Sequence, residues 1–203
     1  MKRLTAPASF KLREKASVFL AELHPAPDAA ARAEVLARLR KRDFDATHHC
    51  SAWREGLPLK AWGADDDGEP SGTAGAPMLR VLEGAGLTDL IAICIRWYGG
   101  TKLGTGGLVR AYTEAVQGAI AEAERGGLLE EVRAMRIGRL SVAQSQAHLP
   151  FAFLGGVPGA EVLGQGFEGS MAWVRFQIPP GGEAALEAAW KERSRGLPVD
   201  WKA

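Results

Sequence analysis

The chain has 203 residues, of which 46% are hydrophobic and 24% charged, a balance typical of a globular protein that can bury a sizeable core. Its 25 Lys and Arg against 24 Asp and Glu give a net charge of +1, which argues against a polyanion-binding surface over the whole chain but not against a local basic patch. Cys50 and Cys94 lie far apart in sequence, which argues against a disulfide scaffold or a zinc ribbon and fits a reducing compartment.

The sequence has no features of a membrane or secreted protein. No stretch reaches the roughly 18 apolar residues of a membrane span. No apolar segment follows Lys2 and Arg3, as it would in a secretory signal. We therefore expect a cytoplasmic protein without a membrane partner.

The first half of the chain alternates short apolar runs with helical patterns. Asp28 stands where an N-cap residue would begin the first helix. The predicted strands and helices of this half are strands over 17–23, 47–53 and 60–64, and helices over 29–41 and 73–82.

The most apolar run of the chain follows. Residues 90–98 are continuously apolar up to Arg96, which predicts a strand covered on both faces. A glycine-rich turn comes next, and the spacing of apolar residues then predicts a helix over 105–125. Gly126 and Gly127 end that helix.

After about residue 134 the pattern begins again. The predicted elements are strands over 136–143, 161–167, 170–178 and 197–201, and helices over 149–154 and 183–195. The order β-α-β-β-α-β is that of a ferredoxin-like fold. We therefore predict an N-terminal domain over 1–130 and a ferredoxin-like domain over 134–203.

The glycine-rich turn is the first candidate site. Glycine allows positive φ and a close approach of the backbone, and a helix N-terminus offers unpaired N–H groups. The turn matches neither the P-loop nor the dinucleotide-binding pattern, and a tight turn between strand and helix remains the alternative. The residues predicted to bind an anion or nucleic acid are Arg96, Gly99, Gly100, Lys102, Gly104, Gly106, Gly107 and Arg110.

An acidic cluster, comprising Asp66, Asp67 and Glu69, is the second candidate. Carboxylates can hold a hard cation, although this segment lacks the spacing of an EF-hand. They can also pair with the basic residues of the glycine-rich turn, or lie in a solvated turn before the next helix. The sequence leaves these alternatives open.

A third candidate is the pair His48 and Cys50, which share one face of a predicted strand. The pair suits a metal or a nucleophile with its base, but a structural histidine and a small core cysteine fit equally. Trp97, beside Arg96, is a further candidate for stacking on bases. We predict no bound metal and no cofactor.

Three segments of the sequence, at 46–50, 66–75 and 96–112, together resemble the IMPACT family and its bacterial YigZ-type branch. The resemblance covers roughly residues 10–125. Ala76 stands where the family usually has arginine, which removes one cation from the expected anion site.

The resemblance implies an α+β fold. The N-terminal domain is expected to be similar to domain 2 of ribosomal protein S5, a β/α sandwich. The C-terminal domain is expected to be similar to the ferredoxin-like modules of elongation factor G. Eukaryotic members of the family act in translational control.

Two functions and one structural alternative follow. The first is a non-catalytic regulator that binds RNA, the ribosome or a translation-related protein at the glycine-rich turn. The second is a metal-assisted enzyme acting on a phosphorylated small molecule or nucleotide, with Mg²⁺ held by the acidic cluster. In the structural alternative, Asp66 or Glu69 only braces Lys102 or Arg110.

Overall fold

A computed structural model describes residues 1–201, which divide after Val132 into two compact units. Each unit combines strands with helices, so the chain is an α+β protein, as predicted. Among the described residues, no helix combines the length and the apolar character that crossing a bilayer requires.

The first unit is built on two sheets. Its elements, in chain order, are β1 (Lys2–Leu4), β2 (Ala8–Glu14), β3 (Ser17–Pro25), α1 (Ala29–Arg42), β4 (His48–Glu55), β5 (Ala61–Asp65), α2 (Gly75–Gly84), β6 (Leu87–Thr88), β7 (Leu90–Trp97), α3 (Gly104–Arg125) and β8 (Leu129–Glu131). The larger sheet has the order β2-β3-β7-β4-β5, and the smaller has the order β6-β1-β8.

Strand β7 is the centre of the first unit. On one face of the sheet, Ala92 and Cys94 pack in the core formed with α2 and α3. On the other face, Ile93 and Ile95 pack against Leu39 of α1. The continuous apolar run is explained by this double cover, and the prediction of a strand buried on both faces is confirmed.

Helix α1 begins as its sequence predicts. The Asp28 carboxylate accepts a hydrogen bond from the Ala31 N–H at 2.8 Å, so it satisfies one of the free donors of the first turn. Basic residues occupy the last turn, where their positive charges interact favourably with the negative end of the helix dipole.

Four strands, namely β1, β2, β6 and β8, were not predicted. In β2 the apolar residues Ala8, Phe10 and Leu12 alternate with polar ones, the period-two signal of a half-buried strand. The other three have two or three residues each, too few to show any period.

The second unit contains one sheet with helices. Its elements are β9 (Arg136–Ala143), one turn of 3₁₀ helix (Gln144–Gln146), α4 (Leu149–Leu154), β10 (Glu161–Glu168), β11 (Met171–Ile178) and α5 (Glu183–Arg193). The sheet is antiparallel with the order β10-β11-β9. Trp190 of α5 and Phe176 of β11 are fully buried in its core.

The predicted strand over 197–201 is wrong. In the described part of this segment only Asp200 pairs with β9, through an isolated antiparallel bridge to Arg139. Pro198 lacks the N–H that a ladder needs, so pairing does not extend along the segment.

Close packing of α3 on β2 gives a test of the fold. A Cβ atom added at Gly118 would lie 2.2 Å from the Phe10 ring, whereas one at Gly84 would meet nothing within 4 Å. We expect Gly118→Ala to lower the free energy of unfolding, since overpacking costs about 1–3 kcal/mol and outweighs the helix-propensity gain of about 1 kcal/mol. Gly84→Ala should leave it unchanged or raise it. Urea unfolding followed by circular dichroism compares the two variants, and equal effects would contradict the packing described.

Candidate functional site

The three sequence segments that were singled out converge on one pocket of about 460 Å³ in the first unit. We call it the α3 pocket, because it opens beside the N-terminus of α3. His48 and Arg96 lie directly opposite each other on β4 and β7. Glu69 comes from the segment before α2, and Lys102 and Gly104 come from the glycine-rich turn.

A buried ion pair forms the floor of the α3 pocket. Arg96 Nη1 donates to Glu69 Oε1 at 2.6 Å, and the side chains are 5% and 3% exposed. The Tyr112 hydroxyl donates to the same oxygen at 2.7 Å, and Arg96 Nη2 donates to Ser17 Oγ at 3.3 Å. Arg96, predicted to bind an anion, therefore already has its charge balanced by Glu69.

His48 presents a defined ring nitrogen at the pocket. Its Nδ1 lies 2.7 Å from the backbone oxygen of Asp67, and a carbonyl only accepts, so Nδ1 carries the proton. In the neutral ring Nε2 is then a hydrogen-bond acceptor, 3.9 Å from Glu69 Oε1. This nitrogen can accept a hydrogen bond from a ligand hydroxyl.

Cys50 lies behind the pocket and is fully buried. Its sulfur is 3.0 Å from the Asp66 carbonyl oxygen and 3.3 Å from the Tyr112 hydroxyl. Burial raises the pKa of the Cys50 thiol to about 12, so the thiol is protonated at neutral pH. This environment fits the core-cysteine alternative better than a nucleophile paired with His48.

The acidic segment does not form one cluster. The Asp66 carboxylate accepts the backbone N–H groups of Gly72, Ala74 and Gly75 at 2.7, 3.0 and 2.8 Å. Burial raises the Asp66 pKa, but the three hydrogen bonds together lower it by more, so the Asp66 pKa lies below its usual value. Asp66 thus organises the start of α2.

The neighbouring carboxylates have other partners. Asp67 accepts from the Arg40 guanidinium and from the His49 backbone N–H, each at 2.6 Å. Glu69 lies in the α3 pocket. Within residues 1–201, no three His, Cys, Asp or Glu side chains are grouped closely enough to hold a metal ion. The predicted acidic cluster is therefore split among three sets of protein donors.

Part of the glycine-rich turn is required by packing and backbone conformation. A Cβ atom at Gly99 would lie 1.9 Å from the Ala16 carbonyl oxygen, so the backbone after β7 can pass this close to Ala16 only with glycine. Gly100 and Gly104 have φ angles of 84° and 71°, in the left-handed region that favours glycine. For these three positions the tight-turn alternative accounts for glycine.

Gly106 is different, because neither packing nor its backbone requires glycine. The nearest atom to a Cβ placed there is Nη1 of Arg110, at 3.9 Å. Glycine at this position leaves the backbone of the first turn of α3 open to close approach. Gly107 has a closer neighbour, with a Cβ atom at 3.0 Å from Leu103 Cβ.

The N-terminus of α3 is uncapped and flanked by cations. Leu103, at the N-cap position, gives no side-chain hydrogen bond to the first turn. Lys102 and Arg110 are exposed on either side of that turn. In the described chain, neither cation forms a salt bridge or a hydrogen bond, and Glu69 pairs with Arg96 instead. The structural alternative, in which Asp66 or Glu69 braces Lys102 or Arg110, is therefore wrong.

The aromatic residue of the pocket is Tyr98, which the sequence reasoning did not single out. Tyr98 is 44% exposed, and the Arg96 guanidinium lies 5.3 Å from its ring centroid. Trp97, which was predicted to stack on bases, packs in the core on the opposite face of the sheet. Side chains alternate between the two faces of an extended segment, so Tyr98 shares the face of Arg96 and Trp97 does not. This alternation is the sequence signal that could have identified Tyr98 as the aromatic residue of the pocket.

Comparisons with known proteins give the relatives of this chain. Residues 15–120 match the Impact N-terminal domain. The chain is 41% identical over 119 residues to the IMPACT family member YigZ of Escherichia coli (strain K12). It is 38% identical over 175 residues to the IMPACT family member in the pol 5' region of Thermus thermophilus.

These matches differ in coverage. The match to the E. coli protein spans 58% of each chain, and the match to the T. thermophilus protein spans 82% of this chain and 87% of that one. A crystal structure of a hypothetical protein is similar over 100% of this chain and 97% of that chain, with 30% identity and a TM-score of 0.74.

The buried ion pair can be tested by removing one partner. We expect Glu69→Gln to lower the free energy of unfolding by about 3–5 kcal/mol, because the Arg96 charge is left without its carboxylate. Glu122→Gln, which breaks an exposed pair with Arg125, should cost less than about 1 kcal/mol. Urea unfolding at pH 7 compares them. A loss for Glu69→Gln no larger than that control would contradict the arrangement.

The Asp66 hydrogen bonds predict a pH dependence. A carboxyl whose pKa is lowered in the folded state stabilises the protein above its unfolded pKa, about 3.9, and this stabilisation is lost as the pH falls through the folded pKa. We expect Asp66→Asn to be less stable than the unmodified protein at pH 7, by about 1–3 kcal/mol. The difference should shrink below about pH 4. Urea unfolding from pH 7 to pH 3 measures it, and a constant difference would argue against the lowered pKa.

Proposed function

This chain belongs to the IMPACT family, and from that premise we propose that it is a non-catalytic regulatory protein linked to translation. It binds RNA, alone or in the ribosome, through phosphate contacts at the N-terminus of α3. The eukaryotic members of the family act in translational control, and this role supports the choice of partner. The proposal places the protein in the cytoplasm.

One observation carries the proposal: the first turn of α3 has two unpaired cations beside it. The free N–H groups and the dipole of a helix N-terminus attract anions, and a phosphate also suits Lys102 and Arg110. Arg96 lies in the pocket floor, and because Glu69 balances its charge, the proposed phosphate contacts are those of Lys102 and Arg110.

The rest of the α3 pocket suits a nucleotide attached to that phosphate. The exposed ring of Tyr98 offers a stacking surface for a base. Nε2 of His48 accepts a hydrogen bond from a ribose 2′-hydroxyl, the group that distinguishes RNA from DNA. Gly106 allows the backbone to approach the phosphate closely.

The proposed fold assignments go with this function. We assign the first unit to the S5 domain 2-like class and the second to the ferredoxin-like class. The strand order β10-β11-β9 with the Asp200 bridge beside β9 supports the ferredoxin-like assignment. The proposed domains are 1–130 and 134–203, and the division after Val132 falls in the short segment between them.

The binding function is favoured over the metal-assisted enzyme by the state of the carboxylates. Asp66 binds backbone N–H groups, Asp67 binds Arg40 and His49, and Glu69 binds Arg96. A Mg²⁺ ion would have to displace these donors from three separate places.

RNA binding at different salt concentrations tests the proposal. The double variant Lys102→Ala with Arg110→Ala should bind single-stranded RNA more weakly. The two substitutions should also reduce the slope of the logarithm of the RNA-binding constant against the logarithm of the salt concentration. The expected reduction is roughly 1.4, about 0.7 for each phosphate that is no longer neutralised.

Gly106→Ala should weaken RNA binding without lowering thermal stability, because its methyl group obstructs the ligand but has space in the protein.

The control removes the same charge from the opposite end of α3. Lys2 and Arg125 are exposed there, in pairs with Glu124 and Glu122. The helix has 22 residues, so this end is roughly 30 Å from the proposed site. If Lys2→Ala with Arg125→Ala weakens RNA binding as much as the site variant, the site assignment is wrong. If the unmodified protein binds neither RNA nor ribosomes, the RNA proposal is wrong and a translation-related protein becomes the proposed partner.

A further inference from the structure

A second, smaller cavity lies at the other end of β4 in the first unit. Its volume is about 120 Å³, and it is lined by Arg54, Leu59, Trp62, Leu79 and Glu83. Arg54 lies six residues beyond His48 on the same strand. At about 3.3 Å per residue, the two sites are roughly 20 Å apart. We call this space the Arg54 cavity.

Arg54 is a buried cation without a protein partner. Its residue is only 6% exposed, and its Nε is fully buried without a hydrogen-bond acceptor. Across the described residues, Arg54 has no side-chain hydrogen bond, ion pair or ring contact. The other buried arginine of the unit, Arg96, is bonded to a carboxylate at 2.6 Å. The buried Nε–H of Arg54 is a donor without an acceptor, which is costly, so an acceptor at this position would stabilise the fold.

The carboxylates near Arg54 are engaged elsewhere or too distant. Asp89 accepts from Arg3 and from the Gly56 backbone N–H. Glu55 is paired with Arg32. Glu83 lines the cavity but is exposed and forms no ion pair with Arg54 within 4 Å.

We propose that the Arg54 cavity is a second ligand site, which binds a phosphate group through the Arg54 guanidinium. The planar fork of N–H donors on arginine matches the oxygens of phosphate. The cavity has room for roughly four water molecules at about 30 Å³ each, enough for one phosphate but not for a nucleoside.

Trp62 extends the proposed site outward. It lies opposite Arg54 in the β4–β5 pairing and is 61% exposed. Leu59 and Leu79 complete an apolar wall. If the phosphate belongs to a nucleotide, the base can lie on the indole ring outside the cavity. Glu83 is the one carboxylate among the lining residues, and its negative charge weakens the binding of an anion there.

The test follows Arg Nε–H signals by ¹H–¹⁵N NMR while inorganic phosphate is added at constant ionic strength. The Arg54 signal, assigned by its loss in Arg54→Met, should shift and saturate. In the Lys102→Ala, Arg110→Ala variant, which lacks the α3 cations, phosphate should raise Tm, and adding Arg54→Met should abolish that rise. Glu83→Gln should bind phosphate more tightly, because it removes the opposing charge.

Adenosine monophosphate separates the two sources of phosphate. Binding at least about five-fold tighter than inorganic phosphate, lost in Trp62→Ala, indicates a nucleotide. Equal affinity indicates free phosphate, and either result supports the site. The Lys102→Ala, Arg110→Ala variant should keep the phosphate response, so failure of the α3 site and failure of this one are distinguishable.

Two results would overturn the proposal. One is the absence of a saturable shift of the Arg54 signal at millimolar phosphate. The other is a rise of Tm with phosphate that persists when Arg54→Met is added to the Lys102→Ala, Arg110→Ala variant. Should Arg54→Met fail to fold, Glu83→Gln decides: unchanged or weaker phosphate binding in that variant also overturns the proposal.

Discussion

The first unit depends on the buried ion pair between Arg96 and Glu69. It joins three parts of the chain, because Arg96 belongs to the central strand β7, Glu69 to the segment before α2, and Tyr112, which shares the carboxylate, to α3. A charged pair at this depth tolerates little displacement, since its two members stabilise the fold only while they remain together. The geometry of the α3 pocket therefore follows from the pair that forms its floor.

Sequence periodicity was sufficient for the elements with strong local signals. The apolar run of β7, the Asp28 cap of α1 and the spacing of α3 predicted those elements closely. The family resemblance is confirmed, because it rested on three long segments in a fixed order. The small strands β1 and β8 are formed by pairing between residues more than 120 positions apart, so no local pattern identifies them.

The candidate site was predictable in its segments but not in its pairings. Asp67 and Gly68 have φ angles of 43° and 86°, and this left-handed turn lies between Asp66 and Glu69. Carboxylates that are neighbours in sequence consequently have different partners. Likewise, nothing in the sequence around Arg96 says which of the acidic residues neutralises it, because that depends on the distance between β7 and a loop 27 residues away.

The pairing of β1 with β8 gives the first unit a mechanical weak point. These strands are antiparallel, with Lys2 opposite Glu131 and Leu4 opposite Leu129, so the two ends of the unit leave from the same side of the pair. A pulling force applied between Met1 and Val132 acts across the inter-strand hydrogen bonds and breaks them one at a time rather than all together. Under tension the unit therefore opens first at the β1–β8 pairing, while the five-stranded sheet remains folded and the ion pair between Arg96 and Glu69 remains intact.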